Sequence, residues 1–218
     1  MIDTNTNKKK SFIAIEGPIG VGKTTLARKL AQTFEGEILL EGADENPFLE
    51  RFYQDPKTGA LPAQLFFLFQ RTQQLKTLIQ EDLFVNCTVA DFLIDKDKLF
   101  ANVTLDHDEL NLYDQVYSNL TIDAPTPDLV IYLQAPVDIL LKRIRQRGIK
   151  MEYSITDEYL KKVASAYTDF FHYYDSSPLL IVNASGIDLV NSDKDYQQLL
   201  ERIELTTSGR HYFNPAFA

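Results

Sequence analysis

The stretch Ser11-Phe12-Ile13-Ala14-Ile15-Glu16-Gly17-Pro18-Ile19-Gly20-Val21-Gly22-Lys23-Thr24-Thr25 decides how the chain is to be read. Its first half is a short apolar run, the pattern of a strand buried on both faces. Its second half, Gly17 to Thr24, matches G-x-x-x-x-G-K-[ST]. Helical spacing follows through Leu26, Leu30 and Phe34. Strand, glycine-rich turn and helix in that order form a phosphate cradle. Gly17, Gly20 and Gly22, with Ile19 and Val21 between them, let successive backbone N–H groups curl around a phosphate. The helix N-terminus near Lys23, Thr24 and Thr25 adds a favourable partial charge. Lys23 would reach the β- and γ-phosphates, and the Thr24 hydroxyl would ligate Mg²⁺. The loop implies a bound nucleoside triphosphate. It does not by itself separate a kinase from a switch GTPase or a motor. No N-K-x-D element follows a later strand, and a motor is usually larger, so a small kinase is the class that remains.

Working outward, further strands are expected at Glu37–Leu40, Cys87–Ala90, Leu129–Leu133 and Leu179–Val182, with helices between them. Alternating strands and helices predict an α/β fold with a parallel sheet covered on both faces. Residues 61–82 read as a long buried helix, a short helix is expected to begin at Asn46, and Asp55–Gly59 reads as a loop. Two helices are expected across 95–120, and others over 136–146, 156–174 and 194–203. The spacing predicts a frayed start over residues 1–10, one domain over 11–205 and a tail without periodicity over 206–218.

The 218 residues suit a single α/β domain. Cys87 is the lone cysteine, so an internal disulfide is excluded and a cytoplasmic setting is expected. The first ten residues hold no apolar segment, so a secretory leader is not expected. No apolar run approaches membrane-spanning length, so no membrane partner is expected. A net charge of −9 argues against coating nucleic acid through bulk charge.

Transfer of a phosphoryl group to a hydroxyl needs a base, a metal carboxylate and cations. Glu41 closes the second strand, where ligands gather in open sheets, and is a candidate base; otherwise it is a solvated strand-end acid. Asp91 closes the third strand and is a candidate Mg²⁺ ligand, directly or through water, or else a helix cap. Lys142, Arg143, Arg145, Arg147 and Lys150 crowd five cations into nine positions without an acid. A helix end favoured by the dipole would accept them, but in so acidic a chain they read as a lid over the triphosphate. Gln64 and Arg71 are seven apart on one helix in an apolar setting, so they share a face. Gln offers a donor and an acceptor side by side, as a nucleobase edge requires; a structural pair is the alternative.

These residues together resemble the deoxynucleoside kinase family, and within it the bacterial deoxyadenosine/deoxyguanosine kinase branch. The resemblance is carried by Ile15–Thr25, Glu45–Tyr53, Leu61–Gln64, Val89–Phe92, Pro127–Leu133 and Arg143–Gly148. It implies a P-loop NTPase fold with five parallel strands, helices on both faces, an arginine-rich lid and a homodimer. It implies ATP-dependent phosphorylation of a deoxynucleoside 5′-hydroxyl, with a purine preferred and deoxycytidine as a further substrate. By resemblance, Glu41 is the general base and Gln64 reads the base. Arg71 and Asp97 shape the base pocket, and Tyr53 and Glu152 hold the sugar 3′-hydroxyl. Asp91 is the acid of an acid-Arg-Ser motif, and Lys23, Arg143, Arg145 and Arg147 serve the phosphates. Two positions depart: Phe92 stands where much of the family has arginine, and Lys150 where the lid more typically has arginine. A thymidylate-type monophosphate kinase and a non-catalytic ATP-binding regulator remain as alternatives.

Overall fold

A computed structural model describes residues 10–81, 86–121, 123–188 and 192–215. The expected frayed start falls almost wholly outside these residues, as does Asp82 at the end of the long helix. Strand β1 (Phe12–Glu16) is buried along its whole length, because both of its faces are covered. Parallel neighbours build a sheet with β2 (Glu37–Leu39), β3 (Thr88–Ala90), β4 (Leu129–Gln134), β5 (Leu179–Asn183) and β6 (Arg210–Phe213). The spatial order is β2-β3-β1-β4-β5-β6, and every adjacent pair is parallel.

The strand period of two sends alternate residues into two cores. Ile13, Ile15, Ile131, Leu133, Leu180 and Val182 face one side. There they meet Leu26 and Leu30 of α1 (Lys23–Thr33), Leu140 and Ile144 of α6 (Val137–Arg147), and Leu199 and Ile203 of α8 (Asp193–Leu205). Ala14, Val130, Tyr132 and Ile181 face the other side, against Val163, Tyr167 and Phe171 of α7 (Asp157–Tyr173). Further along that side, α3 (Pro56–Glu81), α4 (Lys96–Thr104) and α5 (His107–Leu120) enclose Phe12, Leu68, Phe92 and Tyr113. Among the described residues, no helix is long and apolar enough to cross a membrane.

Three expectations are corrected. The sheet has six strands rather than five, because the tail, which shows no periodicity in the sequence, supplies β6 as an edge strand. Asp55–Gly59 is not a loop, since α3 begins at Pro56 and runs on from α2 (Leu49–Gln54) after a single residue. Proline suits the first helical position, where its missing N–H would be unpaired anyway. Gly59 is there for closeness: a Cβ would sit 2.5 Å from the Phe52 backbone. Pro62 lies inside α3 and cannot bond the Thr58 carbonyl, which accepts from Arg51 Nη2 at 2.7 Å instead. The short helix expected from Asn46 starts three residues later, at Leu49.

The chain leaves β1 toward β3 and β2 on one side, and β4 adjoins β1 on the other. The glycine-rich loop after β1 therefore sits where the strand order reverses, the place where open α/β sheets bind ligands.

Candidate active site

The loop of residues 17–22 keeps its shape through positive backbone φ angles at Gly17, Gly20 and Gly22. At Gly20 a Cβ would also come within 2.9 Å of the Leu140 carbonyl oxygen. Lys23 folds back over the loop, donating to the Gly17 carbonyl at 2.8 Å. Burial, reinforced by the Lys96 charge, lowers its pKa to about 8.

Two cavities meet at this loop and share Gly20, Lys23, Thr24 and Arg147. The larger, about 660 Å³, runs past Val21, Gly22, Thr25 and Arg143 to the turn 184–188 after β5. The other, about 370 Å³, is lined by Glu41, Tyr53, Gln64, Arg71, Asp91, Lys96 and Glu152, among others. Ile19 lines its loop side. A phosphate at Lys23 would lie between the two chambers, with a donor side and an acceptor side.

On the acceptor side the charges form one network. Glu41 lies just beyond β2, where its backbone N–H donates to Asp91 Oδ1 at 2.7 Å. One of its carboxylate oxygens accepts from Arg71 Nη2, and the other accepts from Lys96 Nζ at 2.7 Å. Arg71 also pairs with Asp97, which is fully buried behind it. Burial alone would raise the Glu41 carboxyl, but the Arg71 and Lys96 charges outweigh it and hold the group well below the usual range. Gln64 is buried on the same helix as Arg71, and its Nε2 donates at 3.4 Å to Thr104 Oγ1. Tyr53, on α2, stays neutral because burial raises its phenol well above the ordinary value. Glu152 sits in a short 3₁₀ turn after α6 and is gripped by Arg147, with its Oε1 2.5 Å from Nη2.

Asp91 Oδ2 accepts from Thr24 Oγ1 at 2.5 Å. A hydroxyl and a carboxylate oxygen at the phosphate loop are hard donors that suit Mg²⁺, whose other ligands are then phosphates and water. Among the described residues no group of three His, Cys, Asp or Glu side chains could hold a metal without such help.

The basic run divides. Arg143 turns inward, donating to the Val21 carbonyl at 3.1 Å and the Ala184 carbonyl at 2.8 Å, so it braces the loop against the β5 turn. Arg147 lines both chambers. Lys142, Arg145 and Lys150 are exposed and line neither chamber.

Two buried charges were not singled out from the sequence. Glu16 is fully buried; it accepts from Leu93 N–H at 2.6 Å, Tyr167 O–H at 2.8 Å and Gly17 N–H at 3.1 Å, tying the phosphate loop to β3's exit and α7. Lys96 is the second cation on Glu41, beside Arg71. The available signal was a lysine at a predicted helix start, beside Asp97, where a cation is disfavoured.

A family model described as deoxynucleoside kinase matches residues 13–207. The deoxyguanosine kinase of Bacillus subtilis is 35% identical over 200 residues, spanning 88% of this chain and 96% of that protein. The deoxyadenosine/deoxycytidine kinase of the same organism is 30% identical, over 89% and 92%. The structure of deoxyadenosine kinase from M. mycoides with bound dATP superposes with a TM-score of 0.76 at 26% identity, covering 88% of this chain and 98% of that one. The parallel sheet, the phosphate loop and these matches across nearly the whole chain agree: the chain belongs to the deoxynucleoside kinase family.

Proposed function

We propose that the protein transfers the γ-phosphoryl group of ATP to the 5′-hydroxyl of a purine deoxynucleoside, with deoxycytidine as a further substrate. The observation that carries this reading is Glu41: an ionised carboxylate on the acceptor side of the phosphate loop, in a chamber lined by the neutral polar groups of Tyr53 and Gln64. Relatives named for deoxyguanosine and deoxyadenosine support the purine preference.

In this mechanism Gln64 reads the base edge, and Arg71, fixed by Asp97, shapes the pocket around it. Tyr53 and Glu152 hold the sugar 3′-hydroxyl and so aim the 5′-oxygen at the loop. Glu41 takes the hydroxyl proton, a role worth typically 10²–10⁴ in rate. The new O5′–phosphorus bond forms as the bond to the bridging oxygen of ADP breaks. Lys23 and Arg147, common to both chambers, face the charge on the moving group, and Arg143 keeps the loop in register. When bound, Mg²⁺ would be held by Thr24 and Asp91 and would neutralise phosphate oxygens. Closure of the helix-α6 end over the chambers would exclude water as a competing acceptor.

The reading extends to a cytoplasmic enzyme that works as a homodimer. Phe69 and Ile79 on α3 and Leu112 on α5 are half exposed, an apolar surface that supports pairing of two copies through these helices. A single buried thiol, Cys87, suits a reducing compartment.

The test is ADP formation from ATP·Mg²⁺ with each of the four deoxynucleosides and their monophosphates. Highest kcat/KM on deoxyguanosine or deoxyadenosine is expected. Turnover on thymidine alone would overturn the purine reading, and turnover on monophosphates alone would overturn the acceptor class.

A further inference from the structure

Lys96 occupies a position that general physical chemistry disfavours twice. It is the first residue of α4, where a cation opposes the positive end of the helix dipole. It is also 4% exposed, where an ammonium loses its hydration. Its Nζ lies 2.7 Å from Glu41 Oε2 and 5.6 Å from the centre of the Phe100 ring. Among the described residues its ammonium makes no other hydrogen bond. In direct ion pairs the two carboxylates of Glu41 and Asp97 are set against the two cations of Arg71 and Lys96, while buried Glu16 and Lys23 act on Lys96 at longer range.

Proton transfer breaks that balance in one place. When Glu41 takes the proton of the 5′-hydroxyl, Arg71 still has Asp97, whereas Lys96 loses the one carboxylate it pairs with directly among the described residues and keeps only Glu16 at longer range. A buried cation is then left unpaired beside the oxygen that is gaining its bond to phosphorus. Resting on the kinase reading above, we infer that Lys96 is a catalytic residue: its ammonium passes from Glu41 to the 5′-oxygen and the moving phosphoryl group as the proton arrives on Glu41. The step balances without another reactant. The O5′–phosphorus bond forms, the bond from phosphorus to the bridging oxygen of ADP breaks, and the proton rests on Glu41. A contact made only at this stage speeds the reaction without tightening nucleoside binding.

The same arrangement accounts for Phe92. The position after Asp91, where the resemblance leads to an arginine, holds a fully buried ring 5.8 Å from the Arg71 guanidinium. Lys96, four residues further on, delivers a charge to the base from the start of α4 instead.

Lys96→Met, Lys96→Arg and the double variant Phe92→Arg/Lys96→Met test this, each read by kcat, by the dissociation constant of the nucleoside without ATP, and by cooperative thermal unfolding. Lys96→Met is expected to lower kcat about 10²–10³-fold, the usual loss for a donor aimed at developing charge, while the nucleoside dissociation constant stays close to that of the unmodified enzyme. Lys96→Arg is expected to regain at least about tenfold of that loss, since a second cation can meet the same oxygen. The double variant, if it unfolds cooperatively, should regain a similar amount; if Phe92→Arg prevents folding, Lys96→Arg decides alone. A Lys96→Met enzyme with unchanged kcat overturns the inference. So does a loss that appears equally in nucleoside binding and is not recovered by Lys96→Arg, because that is the signature of a purely structural ion pair. An unmodified enzyme with no deoxynucleoside-dependent ADP formation would instead overturn the kinase reading itself.

Discussion

Glu41 and Lys23 line the same chamber, and each has its charge set by burial and neighbours. Burial opposes the Glu41 carboxylate, but Arg71 and Lys96 more than compensate, so this carboxylate is ionised throughout the ordinary pH range. For Lys23 burial and the Lys96 charge act in the same direction, and its pKa falls to about 8. A lysine with a lowered pKa is a cation below that value and neutral above it, and the phosphates need the cation. Binding of ATP should therefore draw in a proton above pH 8. The expected outcome is a kcat/KM for ATP that is flat from pH 6.5 to 7.5 and falls about tenfold per pH unit above 8, as for a single essential acid. A profile of kcat/KM against pH checks it, and a curve still flat at pH 9.5 would contradict it. At this scale the sequence was partly legible. Lys23, Thr24, Glu41 and Asp91 stand at strand ends or in the loop motif, where one-dimensional pattern and three-dimensional place coincide. Glu16 and Lys96 were not legible as site residues, because burial of a charge depends on which elements close over it.

The junction of α2 and α3 shows what spacing conveys about elements and what it leaves out. Proline and glycine in Asp55–Gly59 signal a turn when read locally. In the folded chain they serve a helix start and a close helix–helix approach, and tertiary packing overrides the local signal. Tyr53 depends on that approach, since it is carried on α2 against the cleft. Replacement of Gly59 by Ala would set a methyl group 2.5 Å from the Phe52 backbone, which cannot swing aside as a side chain would. The gain in helix propensity is up to about 1 kcal/mol, but overpacking a tight contact costs about 1–3 kcal/mol. A net loss of stability in urea unfolding is expected for Gly59→Ala, with a raised KM for the deoxynucleoside as α2 shifts. Unchanged stability and KM would show that the two helices can part without consequence. The long helices were easier to read, because α5 and α7 each carry an apolar face over several turns and α3 is long and rich in Leu and Phe.

Over the whole molecule, the cleft sits at one end of β1, β2 and β3, while β6 closes the opposite edge of the sheet. β6 was missed because it buries only Phe213, so neither an apolar run nor alternation marks it. It still has work to do: Phe213 packs into the larger core, and Arg210 donates to the His172 and Tyr174 carbonyls at 2.8 and 3.1 Å, securing the end of α7. A chain ending at Ser208 should lose at least about 2 kcal/mol of unfolding free energy, the value of one buried phenylalanine, with an unchanged KM for the deoxynucleoside. Chaotrope unfolding and steady-state kinetics of the shortened chain check both, and a loss of nucleoside affinity without a loss of stability would contradict this assignment. The charge of −9 also takes on meaning at this scale. In so acidic a chain, the chamber that runs past the phosphate loop to the β5 turn is lined by Lys23, Arg143 and Arg147 with Asp188 as its one acid among the described residues, so cations outnumber acids where a triphosphate would bind. In the proposed reaction Glu41 removes the 5′-hydroxyl proton as the phosphoryl group moves. Single-turnover transfer of labelled γ-phosphate from ATP to deoxyguanosine tests it most directly. Glu41→Gln should form the 5′-monophosphate about 10²–10⁴ times more slowly than the unmodified enzyme, with nucleoside binding retained; transfer at the unmodified rate would contradict the claim.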